Sequence, residues 1–156
     1  SRGSIFQIFH QQLKKNLPLT VTDSRMTRFI MSLSDAASMI LKIGQVAKDS
    51  EIFILKMPTV KIEDLAKTMI QVHKEKNKLA IDPTIEISKV RGYERFHEFL
   101  VTNDEMQFCH DIGYMYKITK KQAKHTISPK DVNSATATRI SKKKLHQVIN
   151  ELFNVS

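Results

Sequence analysis

LTVTDSRMTRFIMSLSDAA, residues 19–37, changes its hydrophobic period part-way along. Leu17 to Thr22 (LPLTVT) is a short β-type run that stops at the turn pair Asp23-Ser24. Further on, Ser34 precedes Asp35, a carboxylate suited to a helix N-terminus. Ala36, Ala37, Met39, Ile40, Ile43 and Val46 then fall in an apolar stripe at helical spacing. A strand, a turn and a helix in so short a span point to a mixed fold.

The pattern continues in both directions. Ile5, Phe6, Ile8, Phe9 and Leu13 predict an amphipathic helix over about 4–16. Glu51 to Leu55 (EIFIL) reads as a buried strand, broken by Pro58 and Thr59. Ile62, Leu65, Ala66, Met69 and Ile70 follow at i, i+3, i+4, i+7 and i+8, with Glu63 and Asp64 complementing the helix dipole. Residues 84–90 alternate as a half-buried strand, and about 94–102 read as helical. Tyr114 to Ile118 fits a short strand, 119–140 a polar loop, and Ser141 to Phe153 a final helix presenting Leu145, Val148, Ile149 and Leu152. The strands are too few for a full doubly wound sheet, so the expected fold class is α+β. We expect one small mixed domain, 1–156, of about five helices with a few short strands.

Composition narrows the chemistry. The 156 residues, 41% hydrophobic and 26% charged, suffice for one buried core. The four glycines (Gly3, Gly44, Gly92, Gly113) lie too far apart for a phosphate-cradling loop, so side chains must hold any nucleotide. The single Cys109 excludes an intramolecular disulfide and a thiolate zinc cage, which fits a reducing, cytoplasmic setting; no metal site is expected. No apolar run reaches the roughly 18 residues of a membrane span, and no signal-peptide pattern opens the chain.

The net charge is +9, and nearly all of it sits between Lys117 and Lys144, nine cations against the one anion Asp131. Such a stretch can steer anions or grip a nucleic-acid backbone. After Tyr116 the only aromatic residue is Phe153, so stacking residues are missing and a solvated lysine-rich face is the plainer reading.

Five segments carry a resemblance: Ser1-Arg2-Gly3-Ser4, LTVTDSRMTRFIMSLSDAA (19–37), EIFILKMPTVKIEDLA (51–66), RGYERFHEFL (91–100) and DVNSATATRIS (131–141). In this order they resemble the C-terminal, substrate-binding half of the polysaccharide-biosynthesis branch of extended short-chain dehydrogenases/reductases, which includes UDP-N-acetylglucosamine 4,6-dehydratases and UDP-sugar 4-epimerases. Met26-Thr27-Arg28-Phe29 is the most specific part. The family pattern near Arg91 is Arg-Pro-Gly-Glu-Lys-x-His-Glu; Gly92-Tyr93 replaces the Pro-Gly turn here, which changes the loop that aims Arg91.

The resemblance implies a UDP-sugar ligand, with Arg28 and Arg91 reaching its diphosphate and Arg2 nearby. Always-ionised, planar guanidinium forks suit that ligand. Each has a simpler reading: Arg28 pairs with Asp23 or Asp35, Arg91 bonds Glu94 or Glu98, and Arg2 frays at a terminus. His97 beside Glu98 suggests acid–base work or a structural histidine supporting the Arg91 loop, with Glu94 and Glu98 as further supports. Arg139 and Ser134 match the closing motif and read as structural. The resemblance also implies NAD(P) in the parent enzyme, bound by a separate dinucleotide-binding domain with a Tyr-x-x-x-Lys pair. The one formal match here, Tyr116 to Lys120, lies at a strand end, where a helix turn would be needed, so no catalytic residue is assigned. The expectation is the substrate-binding part of a longer enzyme, not catalytic alone, in contact with its dinucleotide-binding domain and open to homo-oligomer formation. The alternative is a basic nucleic-acid-binding or protein-interaction module.

Overall fold

The computed structural model describes residues 4–77, 83–88, 94–124 and 127–155. In these, five helices and seven short strands form a mixed α and β unit. Helix α1 (Ile5–Lys14) starts at Ser4, whose hydroxyl accepts from the Gln7 N–H. It stops at Asn16, whose left-handed φ of 53° lets the Leu17 N–H reach the Gln12 carbonyl at 2.9 Å. Strand β1 (Leu19–Val21) follows and pairs in parallel with β5 (Ile85–Ile87).

Strand β2 (Thr27–Phe29) lies antiparallel to β4 (Thr59–Lys61), with Arg28 opposite Val60. Strand β4 runs straight into α3 (Ile62–Asn77), whose buried face is Ile62, Leu65, Ala66, Met69, Val72 and His73. That is the expected stripe, with Ile70 half-buried, carried about one further turn to Val72 and His73. A third sheet orders β3 (Ile52–Leu55), β7 (Met115–Ile118) and β6 (Cys109–Asp111), all antiparallel. Gly113, at φ 88°, makes the turn between the last two. The short α4 (Asn103–Met106) is closed by a capping box between Thr102 and Glu105.

The main core joins α1, β1, β4, α3 and α5 (Lys142–Val155) through Phe9, Leu13, Leu19, Met69, Leu145 and Ile149. A second cluster around Val101, Met106, Cys109, Tyr116 and Val132 holds the three-stranded sheet to residues 127–132.

Three expectations need correction. Residues 94–102 are not helical: Leu100 N–H bonds the Val132 carbonyl at 2.9 Å and Ser134 N–H the Glu98 carbonyl at 2.8 Å, so the backbone is held across to another segment. Strand β3 is not buried, since Ile52 is 59% exposed. Helix α2 (Leu33–Val46) is capped by Ser32, two residues before Ser34, and carries Asp35 in its first turn. Its apolar stripe covers no core: no residue of α2 is buried, and Ile40 and Leu41 are 63% and 72% exposed.

Between α1, α3 and α5 the rings of Phe6, His10, His73 and Phe153 form a cluster, with His10 and Phe153 centroids 4.8 Å apart. Desolvation lowers the pKa of both histidines, helped at His10 by Lys14 and by His73 itself. The Asn77 amide donates to His73 Nδ1 at 3.1 Å, which requires that nitrogen to be unprotonated. A histidine held neutral in the fold takes up protons more readily once unfolded. Stability is therefore full above about pH 6.5 and falls as the pH drops through that value. The expected result is a melting temperature that declines from pH 7.5 to 5.5. The decline becomes shallower in His10→Phe, as thermal unfolding followed by circular dichroism would show.

Candidate functional site

Strand β2 places two consecutive side chains on opposite faces, as the two-residue period of a strand requires. Thr27 turns inward and is buried, while Arg28 turns toward a partly open face, its side chain 21% exposed. The Thr27 N–H donates to the Phe96 carbonyl at 3.0 Å, which fastens the 94–100 segment beside the strand. The Thr27 hydroxyl then meets His97 Nδ1 at 2.9 Å and Ser134 Oγ at 2.7 Å. Ser134, fully buried, accepts from the Glu98 N–H at 2.8 Å and donates to the Thr27 carbonyl at 3.2 Å. Three stretches distant in sequence, 26–29, 96–98 and 133–134, are thus tied together by buried hydroxyls.

Arg28 sits at the edge of this knot. Its Nη1 donates to the carbonyls of Thr27 at 2.8 Å and Phe96 at 3.3 Å, and its Nε lies 3.3 Å from Glu98 Oε1. Of five guanidinium N–H groups, three therefore fix the plane. The two on Nη2 have no acceptor among the described residues. Such a fork is oriented in advance and keeps one edge for an anion.

The expected internal partners of Arg28 are taken by others. Asp23 pairs with Arg25 at 2.8 Å, and the hydrogen bonds from Arg25 pull its carboxyl down to about 2. The Asp35 N–H donates to Ser32 Oγ at 3.0 Å, and its carboxylate pairs with Lys144 at 3.1 Å. Glu98, 47% exposed, is the carboxylate that Arg28 meets, a pairing the sequence reading assigned to Arg91. Arg25 also lies over the Phe96 ring, 5.2 Å from its centroid, a contact for which the sequence held no signal. His97 is bound to the knot through Thr27, and the Arg91 loop it was read to support lies outside the described residues. Glu94 Oε2 is buried with no hydrogen-bond partner among the described residues. Arg2 and Arg91 lie outside the described residues.

The fit of these residues to a nicotinamide dinucleotide is poor. The described glycines that bear on it, Gly44 and Gly113, stand in a helix and a hairpin turn and form no phosphate loop. Tyr116 lies mid-strand in β7, and burial, then Asp131 and Asp111, pushes its phenol up to about 12, the reverse of an activated base. Burial likewise raises the Cys109 thiol, which is no nucleophile. No group of three metal-ligating side chains occurs among the described residues.

A family model described as "Polysaccharide biosynthesis protein" matches residues 1–120. The chain belongs to that family. It is 34% identical over 154 residues to a protein of Methanocaldococcus jannaschii named an uncharacterized membrane protein, covering 97% of this chain and 46% of that one. It is 37% identical over 118 residues to a UDP-glucose 4-epimerase of Rickettsia bellii, covering 76% of this chain and 33% of the epimerase. Among solved structures it is similar to Pen from Bacillus thuringiensis, with a TM-score of 0.74 and 34% identity, over 96% of this chain and 45% of that one. The chain thus spans less than half the length of these relatives. The family match ends before Ser134 and α5, whereas the structural match spans nearly all of the chain. No described helix is long and apolar enough to cross a membrane.

Proposed function

We propose that this polysaccharide biosynthesis protein is the part of a nucleotide-sugar-modifying enzyme that binds the UDP-sugar, with the free edge of Arg28 meeting the diphosphate. The observation that carries this reading is the Arg28 fork, braced by two backbone carbonyls and Glu98, with its Nη2 donors unspent. The epimerase name of the Rickettsia relatives supports a UDP-sugar as ligand. Arg91 and Arg2, in the motifs flanking the described residues, belong to the same proposal. UDP-N-acetylglucosamine is the sugar we propose, for a 4,6-dehydratase or 4-epimerase in the cytoplasm.

NAD(P), when bound in such an enzyme, supplies reversible removal of a hydride from the sugar. The described residues give it no seat, so the proposal assigns it to a dinucleotide-binding domain. The task of the present residues is narrower. Arg28 neutralises and orients the diphosphate, and the Thr27–His97–Ser134 hydroxyl knot keeps Arg28 aimed.

Titration calorimetry with UDP and UDP-N-acetylglucosamine tests this. One charged hydrogen-bond partner contributes about 1.5–3 kcal/mol, so Arg28→Ala should weaken binding by about 10- to 150-fold while circular dichroism stays unchanged. Superimposable isotherms for the two proteins would refute the assignment.

A further inference from the structure

The lysine-rich late segment plays no part in the Arg28 site, and the fold scatters its cations. Lys117 pairs with Glu51 at 2.8 Å and Lys144 with Asp35 at 3.1 Å, both in internal ion pairs. Lys120 and Lys121 face a shallow hollow that also holds Asp49, Glu51 and Asp111. A continuous basic stripe for a nucleic-acid backbone is therefore not built.

Arg139 and Lys142 go elsewhere. The Thr59 N–H donates to the Thr138 carbonyl at 2.9 Å, and the Ile140 N–H returns a 2.9 Å bond to the Thr59 carbonyl. Residues 138–140 thereby run parallel to β4 along one edge, while β2 and Arg28 occupy the other. The chain then turns at Ser141, whose hydroxyl accepts from the Lys144 N–H at 3.3 Å, and enters α5. Between the starts of α3 and α5 this leaves a cleft of about 490 Å³, a size that suits a small-molecule ligand.

The lining is one-sided in charge. Lys61, Arg139 and Lys142 face the cleft with no ion pair among the described residues, and Asp64 is the only carboxylate in the wall. The other two basic groups there are already matched: Lys67 by Glu63 at 2.7 Å and His146 by Glu75 at 3.0 Å. Val60, Ile140 and Leu145 supply apolar wall, and Thr59, Thr68 and Gln71 supply neutral polar groups. The first turn of α5 is Lys142-Lys143-Lys144 with no acid, so its cations add to the positive end of the helix dipole instead of offsetting it. An anion in the cleft would relieve that repulsion.

We propose that this cleft is an anion site for a small phosphate-bearing molecule, the phosphate held by Lys61, Arg139 and Lys142, the rest of the ligand against Val60, Ile140 and Leu145. Neutral sugars gain nothing from this charge, and the scattered lysines offer no track for a long polyanion. The site is separate from that of Arg28, which lines no part of the cleft.

Nuclear magnetic resonance titration of the whole chain, with inorganic phosphate and with uridine monophosphate at constant ionic strength, tests the proposal. Saturable shifts are expected at Ile140, Leu145 and His146. Arg139→Gln should weaken them about tenfold, the worth of one charged hydrogen bond. Lys142→Glu is a second variant at an exposed position, and an unchanged amide spectrum of either protein shows that it folds. In Arg28→Ala the cleft response should persist, which separates this site from the one proposed above. Shifts that never saturate, or that spread equally over Lys120, Lys121 and Lys124, would reduce the effect to charge screening and overturn the proposal. So would tighter saturation by a short DNA duplex than by uridine monophosphate.

Discussion

Phe9→Ala should lower the free energy of unfolding by about 3–5 kcal/mol, the usual cost of removing a fully buried aromatic side chain. Phe9 is fully buried, in a cluster that includes Leu13, Leu65, Met69, Leu145 and Ile149. The neighbours belong to three helices, so none can close over the space without moving against another. Small domains unfold at about 5–15 kcal/mol, and this loss would leave the protein marginal. Urea denaturation followed by circular dichroism measures it. A change below about 1 kcal/mol would mean that α1 frays from the body, as segments near a chain end can. That outcome would contradict the packing of α1 on α3.

How far the sequence disclosed this fold depended on where each element finds its partners. Helices α1, α3 and α5 were legible because their apolar stripes, such as Leu65, Ala66 and Met69, face the core directly. Strands β2 and β4 were not, being three residues each and paired across some thirty residues of chain. Residues 94–101 show helix-like spacing in Phe96, Phe99 and Leu100. The Glu98 and Leu100 backbones are nevertheless committed to Ser134 and Val132, so tertiary bonding overrides local preference. Helix α2 shows a different case, in which the period was read correctly but the stripe meets no core. A stripe such as Ile40 and Ile43 specifies a helix but does not name what covers it.

Of the residues read for the candidate site, Arg28 meets Glu98, and His97 and Ser134 both meet Thr27, while Arg2 and Arg91 lie outside the described residues. Yet nothing in the sequence tells that Arg28 would take Glu98 while Asp23 went to Arg25. Several carboxylates lay within plausible reach, and a few ångströms of backbone placement decide among them.

Ser134→Ala is the second large effect we expect, about 1–3 kcal/mol of stability from one oxygen atom. Ser134 Oγ serves three partners, the buried Thr27 carbonyl and hydroxyl and the part-buried Glu98 N–H. Alanine leaves the Glu98 N–H without its partner, at about 1–3 kcal/mol, while the Thr27 carbonyl keeps Arg28 Nη1 and the Thr27 hydroxyl keeps His97 Nδ1. The loss should be strongly non-additive with Thr27→Val, because both substitutions delete the same 2.7 Å bond; a double-mutant cycle should give a coupling above about 0.5 kcal/mol. Ser134 is a positioning residue, touching Arg28 only through the Thr27 carbonyl and the Glu98 backbone. Its replacement should therefore also weaken UDP binding, by less than Arg28→Ala does and with no change in the charge of the site. If stability falls while UDP affinity holds, the hydroxyl knot serves the fold alone and Arg28 is aimed by Glu98 and the Phe96 carbonyl.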